Sequence, residues 1–444
     1  MPEAVAPIPE GRCASTGVTE GAPHRHRPGG NMFHFGGIRA DGRHVASWLV
    51  VLLAAVVLAG CSSSAPSPSA VGTAAPAATL APTAVATPAP TLAPTLAPTP
   101  TATVTPTPTP GPAKFGPTGS MVHPRDSHTA TLMPSGMVLI TGGTKDASGA
   151  SLASAEIYNP LVGTFSPTGS MAHARSSHTA TLLPNGLVLI AGGQDSGKEL
   201  ASAELYDPAT GKFTPTGSMA HARDSHTATR LPNGKVLIAG GDGAGASAEL
   251  YDPATGKFSA TGSMKHARMW HTATLLANGL VLVAGGYYSA DTLSSAELYD
   301  PATGKFSATG AMTHARFSPS ATLLSSGRVL LAGGSSDPLT ALASAELYDP
   351  ATGKFSATGA MTHTRSSHTA TLLQDGRVLL AGGGGNGLAT AELYDPATGK
   401  FAAIGSMAHG RAYHTATLLP SSRVLIAGGQ AGSAPLSSAE LWQA

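Results

Sequence analysis

Histidine, arginine and glutamate recur at fixed distances along this 444-residue chain, and their chemistry has to be accounted for first. An arginine stands at 125, 175, 223, 268, 316, 365 and 411: Arg125, Arg175, Arg223, Arg268, Arg316, Arg365 and Arg411. Three residues after it comes His128, His178, His226, His271, His368 or His414, with Pro319 in the fifth copy. Two residues before it lies His123, His173, His221, His266, His314, His363 or His409. A glutamate marks each copy at Glu156, Glu204, Glu249, Glu297, Glu346, Glu392 and Glu440. Histidine in such number suggests metal ligation, yet no aspartate or cysteine repeats beside it, so no metal and no cofactor is expected. The alternative is structural. Arg and Glu are among the few charges in a chain only 11% charged, and a pair linking neighbouring strands or repeats satisfies both. A neutral imidazole donates at one nitrogen and accepts at the other, which suits it to tie a loop to nearby backbone. No catalytic constellation is visible, because Ser, His and Asp sit at phases shared by all copies.

The residues that break the repetition are aromatic. Trp270, Tyr287, Tyr288, Phe317 and Tyr413 fall where other copies carry mainly Ser and Asp. They are the candidate ligand-binding residues, as a platform for a sugar ring or an apolar partner surface. Local packing over an edge is the competing expectation.

The elements that position these residues follow from the period. The marker glutamates are 48, 45, 48, 49, 46 and 48 residues apart, a spacing that suggests a repeat fold. A typical copy reads HTATLLPNG-VLIAGG, a variable insert, then SAELYDPATGKFS. These are four short strands, with Asn-Gly as a hairpin signal and VLIAG apolar on both faces. Four-stranded antiparallel sheets repeated about an axis make an all-β propeller. The last copy stops at its third strand, SSAELWQA, while Lys114–Gly119 supplies a fourth-strand sequence. The expectation is a seven-bladed propeller over 114–444, closed by that N-terminal strand on the last blade, with Phe115 beside Trp442. Rotation of equivalent positions about an axis further disfavours metal binding by the histidines, since only convergence on the axis would bring three together.

The Gly pairs at 142/143, 192/193, 240/241, 285/286, 333/334, 382/383 and 428/429 are followed in six copies by Tyr and, seven residues on, Phe: Tyr158/Phe165 through Tyr394/Phe401. This pattern resembles the kelch repeat family over residues 115–444, with Phe where kelch repeats usually carry Trp. Some members of that superfamily are copper-radical oxidases that use a Tyr crosslinked to a Cys. The cysteines here are Cys13 and Cys61, both before the repeats, so the resemblance does not carry the oxidase chemistry with it.

The N-terminal part reads as address and tether. Residues 48–60, WLVVLLAAVVLAG, are too short for a comfortable span and suit the apolar core of a signal peptide, with Arg39 and Arg43 before them. Leu58-Ala59-Gly60-Cys61 resembles a bacterial lipobox, which implies a lipid on Cys61 and a membrane-anchored protein at the cell surface or on the periplasmic side of the envelope. The first 31 residues fit a signal peptide poorly, and Met32 is the better start. Residues 61–113, Ala/Pro/Thr/Ser-rich, form an extended linker. The net charge of +1, with no basic run, gives no support for nucleic-acid binding. The expectation is a monomeric, non-enzymatic binding module for protein or glycan. The alternatives are an extracellular enzyme with a site in the propeller channel and a scaffold without specific ligand.

Overall fold

The computed structural model describes residues 114–443, which form seven four-stranded antiparallel sheets with no helix among them. The signal segment, Cys61 and the linker to residue 113 lie outside the described residues. In the second repeat the strands are Thr179–Leu182, Val188–Ala191, Ala203–Asp207 and Lys212–Pro215, and the order in space is the order in sequence. The other blades repeat this meander. In the seventh, Thr415–Leu418, Val424–Ala427 and Ala439–Gln443 are completed by Lys114–Pro117, whose register sets Phe115 opposite Trp442. The ring is therefore closed by pairing between opposite ends of the repeat array, as expected.

The second strand of every blade is buried along its whole length, which is why its residues alternate in no way between apolar and polar. The core is accordingly divided among the seams between blades. One cluster joins Leu183, Leu189, Ala191 and Ala203 of the second blade to Met219, Val236, Ile238 and Tyr251 of the third. Six seams also hold a Tyr–Thr hydrogen bond, such as Tyr251 with Thr216 at 3.0 Å. At the seam between the sixth and seventh blades both partners change together. Ile404 stands in place of Thr, Trp442 in place of Tyr, and the two belong to one apolar cluster.

The repeated ions resolve into one unit per blade. Arg223 Nη2 lies 2.8 Å from Glu249 Oε1, and Arg223 Nη1 donates to the carbonyls of Gly240 and Ser247. Glu249 accepts in turn from the backbone N–H of Ala220 and His221. The same arginine–glutamate pair is buried in all seven blades. It ties the segment before the first strand to the third strand of the same blade, so it links strands and not blades.

The buried histidines link blades. His178 Nε2 lies 3.0 Å from Thr129 Oγ1 of the preceding blade, and His226, His271, His368, His414 and His128 repeat this around the ring. The partner is a neighbouring hydroxyl, not the nearby backbone that the sequence suggested. Burial, with an arginine charge nearby, holds His128, His226 and His368 down at about 3 and the other three well below the ordinary value. The second set, from His123 to His409, is surface-exposed apart from the partner bonds of its backbone.

Candidate functional site

Both the segment before the first strand and the insert after the Gly pair lie on one face of the ring, since the intervening turns occupy the opposite ends of the strands. Short antiparallel bridges join the two segments there: Asp126 with Thr144, Ser176 with Gln194, Asp224 with Asp242, Met269 with Tyr287, Phe317 with Ser335, and Ala412 with Gln430. The Gly pair makes this approach possible. A Cβ on Gly192, at φ +62°, would lie 2.6 Å from the Arg223 carbonyl oxygen and 2.7 Å from His226 Cε1 of the next blade. The first glycine of each pair is thus required by the seam with the next blade, and the second by its own blade's segment before the first strand, since a Cβ on Gly193 would lie 2.6 Å from the Ser176 carbonyl oxygen.

Innermost on this face is a ring of seven backbone hydrogen bonds. Ser177 N–H donates to Ser127, Ser225 to Ser177, Trp270 to Ser225, Ser318 to Trp270, Ser367 to Ser318, Tyr413 to Ser367 and Ser127 to Tyr413, at 2.8–3.3 Å. All seven donors have φ between +50° and +54°. In the left-handed region the chain turns so that N–H and C=O point around the ring instead of along a strand. The conformation costs about 1–2 kcal/mol per residue for anything but glycine. Serine tolerates it through local hydrogen bonding, but a bulky residue there is uncommon and invites a functional reading. Trp270 and Tyr413 are the two bulky members.

Trp270 does not stand alone. Its ring centroid is 6.0 Å from that of Tyr287 and 5.9 Å from that of Phe317, and Tyr287 and Phe317 are 5.4 Å apart. The three rings are tilted against one another across the seam between the fourth and fifth blades, and each is half-buried. That seam is also where Pro319 replaces the linking histidine, so Thr272 lacks the partner its counterparts have. Tyr288 is the exposed member, on the hairpin Tyr287–Tyr288 and Asp291–Thr292, and its hydroxyl reaches to within 3.7 Å of where a Cβ on Gly245 of the third blade would be. Tyr413 is apart from this group, on the seventh blade. Burial raises its phenol, and a bond to Ser367 opposes that shift. The structure thus brings together Trp270, Tyr287 and Phe317, places Tyr288 beside them, and leaves Tyr413 across the mouth.

Two residues of this face were not singled out from the sequence. Asp126 and Asp224 are buried at the first and third blades, and burial pushes both carboxyls up to about 6. Each has only the hydroxyl of the following serine to lower it, and Asp224 faces Asp242 and Glu199 as well. Their signal was available: at the same phase Ser176 and Ser366 stand in other blades.

Charge divides between the two faces. The insert face carries Asp126, Asp146, Asp195, Glu199, Asp224, Asp242, Asp291 and Asp337 against Lys145, Lys198 and Lys265. The opposite face carries Lys114, Lys212, Lys235, Lys257, Lys305, Lys354 and Lys400 with Arg230, Arg328, Arg377 and Arg423, against six aspartates of the turns. Two open hollows flank the closing strand, both lined by Gly116 and Pro117, and neither contains any of the mouth aromatics.

The Kelch motif model matches residues 175–220 and 271–313. A search of curated proteins returned no match. Among solved structures, a fungal alcohol oxidase of the AA5 family, in complex with copper, is similar at a TM-score of 0.62 and 18% identity, over 75% of this chain and 76% of that one. That likeness is one of fold. Among the described residues no group of three His, Cys, Asp or Glu is placed to hold a metal ion, and the buried imidazoles face threonine or serine hydroxyls of neighbouring blades. These residues do not fit a copper centre.

Proposed function

We propose that this kelch-motif propeller is a non-enzymatic binding module for a protein or glycan, presented at the cell surface on a membrane tether lipidated at Cys61. The observation that carries the reading is the triad of Trp270, Tyr287 and Phe317 on the loop face. It gathers the main departures from the repeat into one place, on a backbone fixed by the inter-blade ring. Loops on a rigid scaffold are where specificity is built, and tilted aromatic rings offer contact area with little entropy to lose on binding. The acidic insert face argues against a nucleic-acid partner. The likeness in fold to an oxidase keeps an enzyme of carbohydrate or envelope metabolism as the alternative.

The test exploits the repeat. Trp270→Ser and Phe317→Ser install the residues that other blades use at the same positions, and Tyr287→Gln does likewise, so the ring is preserved. The purified full chain is used to capture partners from a cell-envelope extract and on an array of glycans. A ligand held by the parent and lost by the triple variant, with equal melting temperatures, supports the reading. Equal capture by both would sink it as a reading of this site. Labelling the lipid on Cys61, or its loss in Cys61→Ser, tests the tether.

A further inference from the structure

Four observations converge on the sector of the mouth between the second and fourth blades. The third blade has the shortest insert of the seven, DGAGAS, so the rim dips there between the hairpins carrying Glu199 and Tyr288. Both flanking side chains overhang that dip: Glu199 Cγ would lie 3.5 Å from a Cβ on Gly243, and the Tyr288 hydroxyl 3.7 Å from one on Gly245. Bridged to that insert at Asp242 is Asp224, only 7% exposed, with Asp242 and Glu199 as its charged neighbours and no cation acting on it among the described residues. A buried carboxylate without a counter-cation is costly, unlike the paired glutamates of the same fold. Trp270 borders the dip, its N–H bonded to Ser225 next to Asp224.

We propose that this dip is a recognition site for a cationic side chain, the ammonium of a lysine or the guanidinium of an arginine on a basic segment of a partner protein. It rests on the mouth-binding reading above and deepens it by naming the ligand chemistry. The carboxylates of Asp224, Asp242 and Glu199 take a cation that the described residues do not provide. The ring of Tyr288 adds cation–π attraction, strongest where water is displaced. The excess of carboxylates over the whole insert face draws such a segment in, and the rate gain fades with salt. A neutral sugar would use the aromatic rings but would leave the buried Asp224 without a partner charge.

The probes are a fluorescein-labelled octalysine peptide, its fully side-chain-acetylated form, and a neutral cellotetraose, each titrated against the purified full chain by fluorescence anisotropy or, for the sugar, calorimetry. Octalysine is expected to bind, with at least tenfold loss on acetylation and a further loss between 50 and 300 mM salt, on the order of tenfold. Asp224→Ser with Asp242→Gln, residues that other blades carry at those positions, should weaken it at least tenfold. Tyr288→Ser should weaken it about fivefold, and Lys257→Thr on the opposite face should leave it unchanged. Matched melting temperatures establish that the variants fold. Equal binding of the acetylated peptide, indifference to the Asp224/Asp242 double variant, or no octalysine binding at all overturns the cationic site. Cellotetraose binding that Trp270→Ser abolishes, without octalysine binding, overturns it too while leaving the mouth as a binding site. The envelope capture experiment decides that broader reading independently.

Discussion

At the scale of single residues, the repeat turns one chain into a set of internal controls. Glycine shows this best. Gly192 and Gly186 both have positive φ, at +62° and +84°, but only the first meets neighbouring atoms if a Cβ is added. Gly186→Ala should cost about 1–2 kcal/mol, the backbone term alone. Gly192→Ala should cost more than about 3 kcal/mol, because the Arg223 carbonyl and His226 ring must also move. Urea unfolding of the two variants measures the difference, and equal costs would contradict the seam as the reason for the first glycine of the pair. The buried ion pair offers a second case. Glu249→Gln leaves Arg223 buried without its counter-charge, and a loss of about 3–5 kcal/mol is expected in the same assay. Residue types and phases made the Arg–Glu pairing legible from sequence. That the pair stays inside a blade was not, because sequence spacing cannot tell a strand's own sheet from the next one.

Elements are joined by a small number of repeated contacts, and the seam between the sixth and seventh blades departs from the others. Ile404 and Trp442 replace the Thr–Tyr hydrogen bond found at six seams. Ile404→Thr alone places a hydroxyl against Trp442 in an apolar cluster and should destabilise by about 1–3 kcal/mol. Adding Trp442→Tyr restores the partner, so the double variant should recover part of that loss. A double-mutant cycle with no coupling would show that the two changes are independent. The closing strand was legible because Lys114–Gly119 repeats the fourth-strand sequence that the last repeat lacks. The ring of seven left-handed residues was not. It depends on φ values and on hydrogen bonds between consecutive blades, and Ser, Trp and Tyr at those positions carry no common sequence mark.

For the whole molecule, acid sensitivity follows from the histidine girdle. The six linking histidines are buried and stay neutral in the fold, at about 3 or well below the ordinary value, but titrate near 6.5 once unfolded. Between those limits the unfolded chain binds more protons, so stability is full above about pH 6.5 and is lost as pH falls toward 3. Each contributes a slope of up to about 1.4 kcal/mol per pH unit. Asp126 and Asp224 act oppositely, since their carboxyls near 6 take protons in the fold before the unfolded chain does, but two groups offset only part of six. Thermal unfolding at pH 7.5, 6, 5 and 4 should show a falling melting temperature, reduced in slope by His178→Gln and His226→Gln together. A flat profile would contradict the buried neutral girdle. Trp442, 1% exposed beside the closing strand, and Trp270 at the mouth give two fluorescence reporters for the transition.

The sequence by itself determined the blade count, the strand order within each blade, the closing strand and the candidate aromatic residues. Those are properties of period, alternation and turn chemistry, which act over a few residues and recur seven times. Only the tertiary structure decided which residues meet. Trp270 and Phe317 lie 47 positions apart in the chain and at different phases of the repeat, yet their rings are 5.9 Å apart, because the loop segments of neighbouring blades are brought side by side at the mouth. Asp224 looks like any polar loop residue until the rim around it is seen to bury it without a cation. A local pattern specifies a blade, while burial, charge pairing and ring contacts are set by the rotation that places one blade against the next.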